Sequence, residues 1–200
     1  MRVGNDVWVV LVTYNSAESV RDCLDSIRAS DVVPRIVVVD NASTDRTVEI
    51  IAASYPEATI LESAKNVGYG RACNMGMKYA LARGAVFILQ LNDDARLTPS
   101  ALPILLETAA SYPQYGVLVP LNLAENGETV DVGFGRELKK YAPWSLLADL
   151  MLGSRQDVYP VQMLPGAAMM VQRTVLETLG GFDPLFFVYG VEYDYCLRTA

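Results

Sequence analysis

The sequence AVFILQLNDD, residues 85–94, runs from apolar side chains straight into an amide and two adjacent carboxylates. Residues 85–91 are typical of a buried β-strand. Asp93 and Asp94 at the end of such a strand cost free energy unless they are solvated, hydrogen-bonded or bound to a cation. Because ligands of open α/β sheets bind at the carboxyl ends of the strands, these oxygens predict a Mg²⁺ or Mn²⁺ site. The alternative is a solvated turn before a helix.

The chain on both sides of this stretch repeats the arrangement of an apolar strand followed by a helix. Apolar residues at three- and four-residue spacing predict the helices. Short connections between strands and helices predict βαβ units and a mostly parallel sheet, which is the α/β class. We expect Ser43 or Thr44 to cap the second helix. The predicted strands are residues 7–12, 35–39, 58–61, 85–91 and 116–120, and the predicted helices cover residues 20–27, 48–51, a stretch ending near 82, and 100–111.

Polar side chains collect where the predicted strands end. In a parallel sheet these ends share one edge, so side chains far apart in sequence are expected to meet there. This convergence predicts a nucleotide-like ligand together with a metal ion. The residues concerned are Thr13, Asn15, Asp40, Asn66, Asp93 and Asp94.

Length and composition predict one globular domain, since 52% of the 200 residues are hydrophobic and 20% are charged. Histidine is absent, which excludes a His-containing zinc site and a Ser/His or Cys/His nucleophile in this chain. Cys23, Cys73 and Cys196 are widely spaced and are predicted to be reduced thiols of a cytoplasmic protein. No apolar run has the length of a membrane span, and residues 1–6 do not predict a signal peptide.

The net charge of −7 argues against general nucleic-acid binding, because no cluster of Lys or Arg is present to displace counterions from phosphates. It also sharpens the metal prediction. A diphosphate beside two Asp carboxylates is repelled by roughly 4 kcal/mol per pair of unit charges about 4 Å apart at an effective dielectric constant near 20. A bridging cation removes that repulsion.

The pattern changes after residue 120. Residues 127–135 predict a hairpin-like segment, and residues 139–153 are expected to be irregular. The apolar side chains in 144–151 are interpreted as core or loop packing, with an acceptor-side wall or a membrane-surface contact as alternatives. Residues 163–171 predict a strand with a small-residue insert that includes Pro165 and Gly166. A short helix at 174–179 and a final helix within 186–198 follow, and the latter carries Glu192 and Asp194.

Six pieces of the chain, in order, resemble the family two glycosyltransferases of the GT-A fold, which is a Rossmann-like three-layer α/β/α sandwich. The match runs from about residue 7 to residue 198, and the sequence resembles a rhamnosyltransferase-like subgroup of the family. The resemblance implies a single domain over residues 1–200, with a nucleotide-sugar-binding half at 1–120 and an acceptor-side half at 121–200. The pieces are VTYN (12–15), VDNASTD (39–45), NVGYGRACN (66–74), LNDDA (91–95), GAAMM (166–170) and GFDPLFF (181–187).

The resemblance implies roles for the nucleotide-binding residues. Thr13, Tyr14 and Asn15 would line the base pocket. Asp40 would accept a hydrogen bond from N3–H of uracil or thymine, since a carboxylate is an acceptor only; its alternative is a structural cap or Asx turn. Arg71 would reach the base or the diphosphate. Asn66 is placed at the same site, with a plain turn residue as its alternative.

The resemblance also implies a metal site and a catalytic base. The triplet Asn92, Asp93 and Asp94 resembles the family's DxD motif with Asn in the first place. Asp94 would be the main Mg²⁺ or Mn²⁺ ligand, and Asp93 would contact the metal or the ribose. The family's Glu-Asp-x-Asp motif is VEYD in this chain (191–194). Glu192 therefore occupies the position of the catalytic base, and Asp194 is the reserve candidate for that role.

The function implied is inverting, metal-dependent transfer of a sugar from a UDP- or dTDP-sugar to a hydroxyl of a saccharide or lipid-linked acceptor. Rhamnose is one donor sugar that fits, and the inner face of the membrane is a fitting location for peripheral association. Family members usually continue well beyond this length, so the chain is expected to be truncated at its C-terminus. The alternative function is a nucleotide-diphosphate-binding fragment without turnover. A dehydrogenase is disfavoured because residues 68–73 hold only two of the three fingerprint glycines.

Overall fold

The computed structural model describes residues 6–154, 156–163 and 167–199, and its centre is a six-stranded sheet. The strand order is β3-β2-β1-β4-β6-β5. Strands β1 to β4 are parallel, and β6 runs antiparallel to both β4 and β5. The prediction of an α/β protein with a mostly parallel sheet is confirmed. The strands are β1 (Val7–Thr13), β2 (Arg35–Asp40), β3 (Ala58–Glu62), β4 (Phe87–Asn92), β5 (Val117–Leu118) and β6 (Ala168–Gln172).

Helices cover both faces of this sheet, so the described chain is a three-layer α/β/α sandwich. Successive residues of β1 point to opposite faces, and Val9 and Val10 accordingly belong to different cores. One core packs against α1, α2 and α4, and the other packs against α3, α7 and α8. The helices are α1 (Val20–Arg28), α2 (Thr47–Ser54), α3 (Tyr69–Leu81), α4 (Ala101–Ser111), α5 (Val132–Tyr141), α6 (Trp144–Leu152), α7 (Arg173–Leu179) and α8 (Val191–Thr199).

The central strands are continuously apolar because they are buried on both faces. Every residue of β1 is buried, and β2 is buried from its second residue onward. Helix α1 shows the complementary pattern, with Val20, Cys23, Leu24 and Ile27 buried on one side. These elements hold the strand ends in fixed register, which positions the residues that follow them.

The region from 127 to 153 differs from its prediction. The hairpin reduces to a single antiparallel bridge between Leu123 and Val130, and α5 begins at Val132. Asp131 caps this helix by accepting a hydrogen bond from the backbone N–H of Phe134 at 2.8 Å. Residues 139–153, expected to be irregular, are largely helical in α5 and α6. The two helices pack on a small third core around Phe134, Leu138 and Leu146.

Helix α6 is only partly buried. Leu146 lies in the third core, whereas Trp144, Met151 and Leu152 are 84%, 88% and 78% exposed. The interpretation of this segment as core packing is therefore correct for one side of the helix and wrong for the other. Among the helices of the described residues, none is long and apolar enough to cross a membrane.

The strand expected at 163–171 begins at Ala168 and extends to Gln172. The insert residues Pro165 and Gly166 lie outside the described residues. The expected cap of α2 is also different. Asp45 accepts a hydrogen bond from the backbone N–H of Thr47 at 3.0 Å, while Ser43 turns back toward the end of β2.

Candidate active site

The ends of β1 and β2 are joined by side chains. Thr13 and Asp40 are paired in the sheet register, and the Thr13 hydroxyl donates to Asp40 Oδ1 at 3.0 Å. Asp40 also accepts hydrogen bonds from the hydroxyl and the backbone N–H of Ser43, at 2.6 and 2.9 Å. Both Thr13 and Asp40 are buried. These three donors use most of the roughly four lone-pair positions of a carboxylate, so one acceptor position of Asp40 is left for a ligand.

The turns after β1 and β2 adopt left-handed backbone conformations and bind one another. Asn15 has φ of 56° and Ala42 has φ of 70°. Asn tolerates this region, whereas an Ala there costs on the order of 1 kcal/mol. The Asn15 backbone N–H donates to Ser43 Oγ at 2.9 Å, and Asn15 Oδ1 accepts from the Thr44 N–H at 2.8 Å. Tyr14 lies beside these bonds with half of its side chain exposed.

Asn66 links the end of β2 to the loop that enters α3. Its Oδ1 accepts hydrogen bonds from Asn41 Nδ2 and from the Gly68 backbone N–H, both at 2.9 Å. The bond to Gly68 is an Asx-type turn, which is the structural role that the sequence left open for Asn66. Asn41 in turn accepts a bond from the Val67 N–H at 2.9 Å. The loop after β3 is thereby held against the same edge of the sheet.

Asp93 and Asp94 follow β4 at this edge. The Ser16 hydroxyl donates a hydrogen bond to Asp93 Oδ2, which ties the end of β4 to the loop after β1. Asp94 is exposed. Burial and the neighbouring Asp94 charge raise the pKa of Asp93. Burial together with these two carboxylates raises the pKa of the Cys23 thiol to about 12. The site therefore concentrates negative charge in a partly desolvated position.

This donor set fits a hard divalent cation that is shared with a ligand. In the described part of the chain, no group of three or more Cys, Asp or Glu side chains is placed to hold a metal by itself. Mg²⁺ is usually bound through one or two carboxylates, with phosphate oxygens and waters completing an octahedral shell. Asp93 and Asp94 supply that number of carboxylates.

Asn92, the last residue of β4, is held by hydrogen bonds from two side chains. Its Oδ1 accepts a hydrogen bond from the Tyr69 hydroxyl at 2.9 Å and one from Gln90 Nε2 at 3.2 Å. Gln90 Nε2 also donates to the Tyr69 hydroxyl oxygen. Tyr69 is the first residue of α3, so this helix is joined to the acidic end of β4.

Glu192 and Asp194 lie in the first turn of α8 and have different surroundings. Burial raises the pKa of Glu192, and its charge contributes to the raised pKa of Tyr69. The Glu192 charge thus acts on Tyr69, whose hydroxyl donates to Asn92. Asp194 forms an ion pair with Arg198, with 2.8 Å between Oδ2 and Nε. This pair gives Asp194 a structural role that does not require it to be the base.

Arg71 is exposed on α3, and its Nε donates to the Pro184 carbonyl oxygen at 3.1 Å. The structure thus places it against the segment that precedes α8. The other predicted residues, from Thr13 to Asp94, gather at the strand ends. Sequence reasoning did not select Ser16, Ser43, Tyr69 and Gln90. Ser16 directly follows the quoted piece VTYN, and Ser43, Tyr69 and Gln90 lie inside quoted stretches, which was a usable signal, but no local pattern shows which partners these side chains meet.

Gly68, the residue before α3, gives a testable prediction about how the site is held. Its φ is 88°, and an added Cβ would lie 2.6 Å from the Phe187 carbonyl oxygen and 2.8 Å from the Phe187 ring. Gly84 has the same φ but open space around it. We expect Gly68→Ala to lower the free energy of unfolding by about 2 kcal/mol more than Gly84→Ala, because only the first adds overpacking to backbone strain.

Urea denaturation of the two glycine variants and the parent chain measures this difference directly. Equal losses in the two variants would mean that the segment around Phe187 moves away from Gly68 without cost.

A family profile described as "Glycosyl transferase family 2" matches residues 8–180. The chain belongs to glycosyltransferase family 2. All of the strand-end residues described above lie inside the matched range, whereas the two candidate bases, Glu192 and Asp194, lie beyond it.

Two named relatives match nearly the whole chain. A low-salt glycan biosynthesis hexosyltransferase of Haloferax volcanii, Agl10, is 27% identical over 196 residues, covering 98% of this chain and 62% of its own length. An N-acetylglucosaminyl-diphospho-decaprenol L-rhamnosyltransferase of Mycobacterium tuberculosis is 26% identical over 207 residues, covering 93% of this chain and 67% of its own length. The chain thus spans about two thirds of the length of these two relatives.

Solved structures with the same fold include glycosyltransferases of the GT-A type. TarS 1-349 of S. aureus in complex with UDP superposes with a TM-score of 0.71 at 19% identity, over 97% of this chain and 54% of TarS 1-349. The mannosyltransferase PcManGT of Pyrobaculum calidifontis, in complex with GDP-Man and Mn²⁺, has a TM-score of 0.63 at 24% identity, over 94% of this chain and 49% of its own. The expected GT-A fold is confirmed.

Proposed function

We propose that this chain carries the donor-binding and catalytic parts of an inverting, metal-dependent glycosyltransferase that uses a UDP- or dTDP-sugar. The observation that carries the proposal is the joining of Thr13, Asp40 and Asp93 at one sheet edge through side-chain hydrogen bonds. Thr13 donates to Asp40 directly, and the Ser16 hydroxyl donates to Asp93. Ser43 Oγ accepts from the Asn15 backbone N–H, so these bonds connect strand ends that are distant in sequence. An edge built in this way is where open α/β sheets bind ligands.

In the proposed complex the uracil or thymine ring of the nucleotide lies near Asp40. The carboxylate keeps one acceptor position, which suits the N3–H donor of uracil or thymine. Tyr14 is half exposed beside it and offers a ring for stacking, while Thr13 and Asn15 shape the pocket through the bonds already described. Arg71, on the exposed side of α3, would reach the base or the diphosphate, and Asn66 would order the loop between them.

Asp94 and Asp93 would hold Mg²⁺ or Mn²⁺ together with the diphosphate. Asp94 is exposed and free to coordinate, whereas Asp93 Oδ2 already accepts a hydrogen bond from Ser16 and has its other oxygen to offer. When bound, such an ion stabilises negative charge on the diphosphate leaving group. That a mannosyltransferase with this fold was solved with Mn²⁺ supports the choice of cation.

The chemical step assigned to this chain's own residues is proton removal by Glu192. As the acceptor hydroxyl oxygen forms its bond to the anomeric carbon, its proton passes to the Glu192 carboxylate. The bond from that carbon to the diphosphate oxygen breaks with its electron pair, so the nucleoside diphosphate departs from the opposite face. Asp194 is the alternative base, although its Oδ2 is already paired with the Arg198 guanidinium.

The acceptor is proposed to be a saccharide or a lipid-linked saccharide, and rhamnose is a donor sugar that fits. A relative named as a decaprenol-linked rhamnosyltransferase supports both choices. The exposed apolar side of α6, with Trp144, Met151 and Leu152, is a fitting surface for peripheral contact with a membrane that carries such an acceptor.

Calorimetric titration of the chain with UDP and dTDP, each with and without Mn²⁺, tests the donor half. We expect binding that is strengthened by the metal. Transfer or donor hydrolysis by the same chain separates the enzyme from the alternative, a nucleotide-diphosphate-binding fragment without turnover. If the chain binds neither UDP nor dTDP, both the enzyme and the binding-fragment alternative are overturned.

The pH dependence of turnover is a further prediction. Glu192 removes a proton only as a carboxylate, and burial raises its pKa from the ordinary value of 4.5. As pH falls through this raised pKa the group is protonated, so kcat should fall about tenfold per pH unit below it. The acid limb should therefore lie at higher pH than the 4.5 of an ordinary Glu.

Donor-hydrolysis rates measured across about pH 4 to 8 locate this limb. Because the pKa of Asp93 is also raised by burial, the measurement is made with the Mn²⁺ concentration saturating at each pH. A limb at or below 4.5 would contradict Glu192 as the base.

A further inference from the structure

We infer that Tyr69 and Gln90 fix the orientation of Asn92, so that Asn92 presents its NH₂ group, and not its carbonyl oxygen, to the bound nucleotide. The inference rests on the proposed function and deepens it. It makes the first residue of the triplet a hydrogen-bond donor and leaves metal ligation to Asp93 and Asp94.

Among the described residues, the contacts around the Asn92 amide engage its oxygen and leave its NH₂ group open. Oδ1 accepts from the Tyr69 hydroxyl at 2.9 Å and from Gln90 Nε2 at 3.2 Å. Within the described residues, Nδ2 makes no hydrogen bond. A rotation that exchanged the two ends would place N–H groups against the donors of Gln90. The two-donor contact therefore selects one orientation.

Gln90 reaches Asn92 because residues two apart on a strand share a face. Its side chain is fully buried, and its Nε2 donates to both Tyr69 and Asn92. Gln90 Oε1 is buried without a partner in the part of the chain that the structure describes. A buried unpaired carbonyl costs free energy. In Gln90 this cost accompanies an arrangement in which both N–H groups of the side-chain amide donate to neighbours, Tyr69 and Asn92.

Tyr69 is itself held at both ends. Its backbone N–H donates to the Phe187 carbonyl oxygen at 2.6 Å, which joins α3 to the segment leading into α8. Burial, with added contributions from Cys73 and Glu192, raises the pKa of the phenol well above its usual range. The hydroxyl thus stays protonated and donates. Tyr69 is a positioning residue that acts through Asn92.

The NH₂ group of Asn92 adds a hydrogen-bond donor beside the carboxylates at the strand ends. Asp40, Asp93 and Asp94 offer only acceptors. A donor at the end of β4 suits an oxygen of the nucleotide, either a ribose hydroxyl or a diphosphate oxygen. Because Oδ1 is turned into the protein and already accepts two bonds, it is poorly placed to coordinate a cation.

Tyr69→Phe tests the inference, because it removes one hydroxyl and keeps the ring. Tyr79→Phe is the matched control: Tyr79 lies on the same helix, and within the described residues its hydroxyl makes no hydrogen bond. The first readout is the NMR signal pair of the Asn92 side-chain NH₂, assigned by its loss in Asn92→Asp. We expect this pair to shift in Tyr69→Phe and to stay in place in Tyr79→Phe.

The second readout is calorimetric affinity for UDP and for uridine, with and without Mn²⁺. In Tyr69→Phe we expect UDP affinity to fall about tenfold, which is the usual cost of misplacing one hydrogen bond to a charged group. An equal loss for uridine assigns the donor to the ribose, and no loss for uridine assigns it to the diphosphate. In Asn92→Asp, Mn²⁺-free UDP binding should weaken further, since a donor becomes a negative charge.

The two proposals fail in different ways. If the parent chain binds UDP but Tyr69→Phe leaves the UDP affinity or the Asn92 NH₂ signals unchanged, the inference is overturned and the proposed function stands. If the parent chain binds neither nucleotide while the Asn92 signals still shift in Tyr69→Phe, the proposed function is overturned and the orienting contact alone is supported.

Discussion

Glu192→Gln is expected to lower kcat by about 10²- to 10⁴-fold while leaving UDP affinity unchanged, because it removes the proton acceptor and keeps the shape of the side chain. The expectation rests on the placement of Glu192 in the first turn of α8, where it is half-buried. Desolvation strengthens it as a base, since its pKa is raised. The loss should appear in kcat, because a base acts in the transition state and not in donor binding.

The measurement is steady-state transfer or donor hydrolysis by the parent chain and the variant, together with UDP calorimetry on both. Glu107→Gln, the same change at an exposed position of α4 on the other face of the sheet, is the control. Activity that survives in Glu192→Gln would assign the base to Asp194. Asp194→Asn would then have to abolish turnover.

The second large effect is expected for Asp94→Asn, which should remove most of the increase in UDP affinity that Mn²⁺ confers. A neutral amide is a much weaker ligand than a carboxylate for a hard cation, and the neighbouring Asp93 is already engaged with Ser16. We expect the metal-dependent increment to fall by about ten- to a hundredfold, which corresponds to about 1.4 to 2.7 kcal/mol. Without metal the variant should bind UDP as tightly as the parent or tighter, because one repelling charge is gone.

Titrations of UDP at several Mn²⁺ concentrations separate these two effects. Asp31→Asn, which removes the same charge before the start of β2, at the opposite edge of the sheet, serves as the control. An unchanged metal-dependent increment in Asp94→Asn would exclude Asp94 as the main ligand and would leave Asp93 to be tested in the same way.

The strands that build the site were predictable because burial on both faces leaves a continuous apolar signal in the sequence. Residues 7–12, 35–39 and 58–61 were each assigned to within one residue of the observed strands. The helices α5 and α6 were not predicted, since Gly133 and Gly135 favour loop structure and the apolar face is short. Asp131, three residues before the buried Phe134, was the local signal of the helix start.

The candidate site was likewise predictable from the sequence only in part. The convergence of Thr13, Asp40 and Asp93 follows from parallel topology, which needs only the order of strands and helices. The bonds that hold them depend on side chains whose partners are up to 77 positions away, as for Ser16 and Asp93. No local pattern encodes such a pairing. Where Arg71 points is likewise set by how α3 is rotated against the segment before α8, which periodicity does not fix.

Helices α5 and α6 rest on a core of their own, around Phe134, Leu138 and Leu146, which among the described residues shares Val119 with the core beneath α3 and α8. Helix α5 also touches α8, because the Tyr193 hydroxyl donates to Glu137 at 2.7 Å. Substitutions on the outer faces of these two helices, away from the contact with α8, are therefore expected to leave the packing of the sheet, and with it the strand ends, unaltered. The surface beside the site can therefore vary without disturbing the edge that is proposed to bind the nucleotide. One scaffold can thus be retained as the molecules presented to it change.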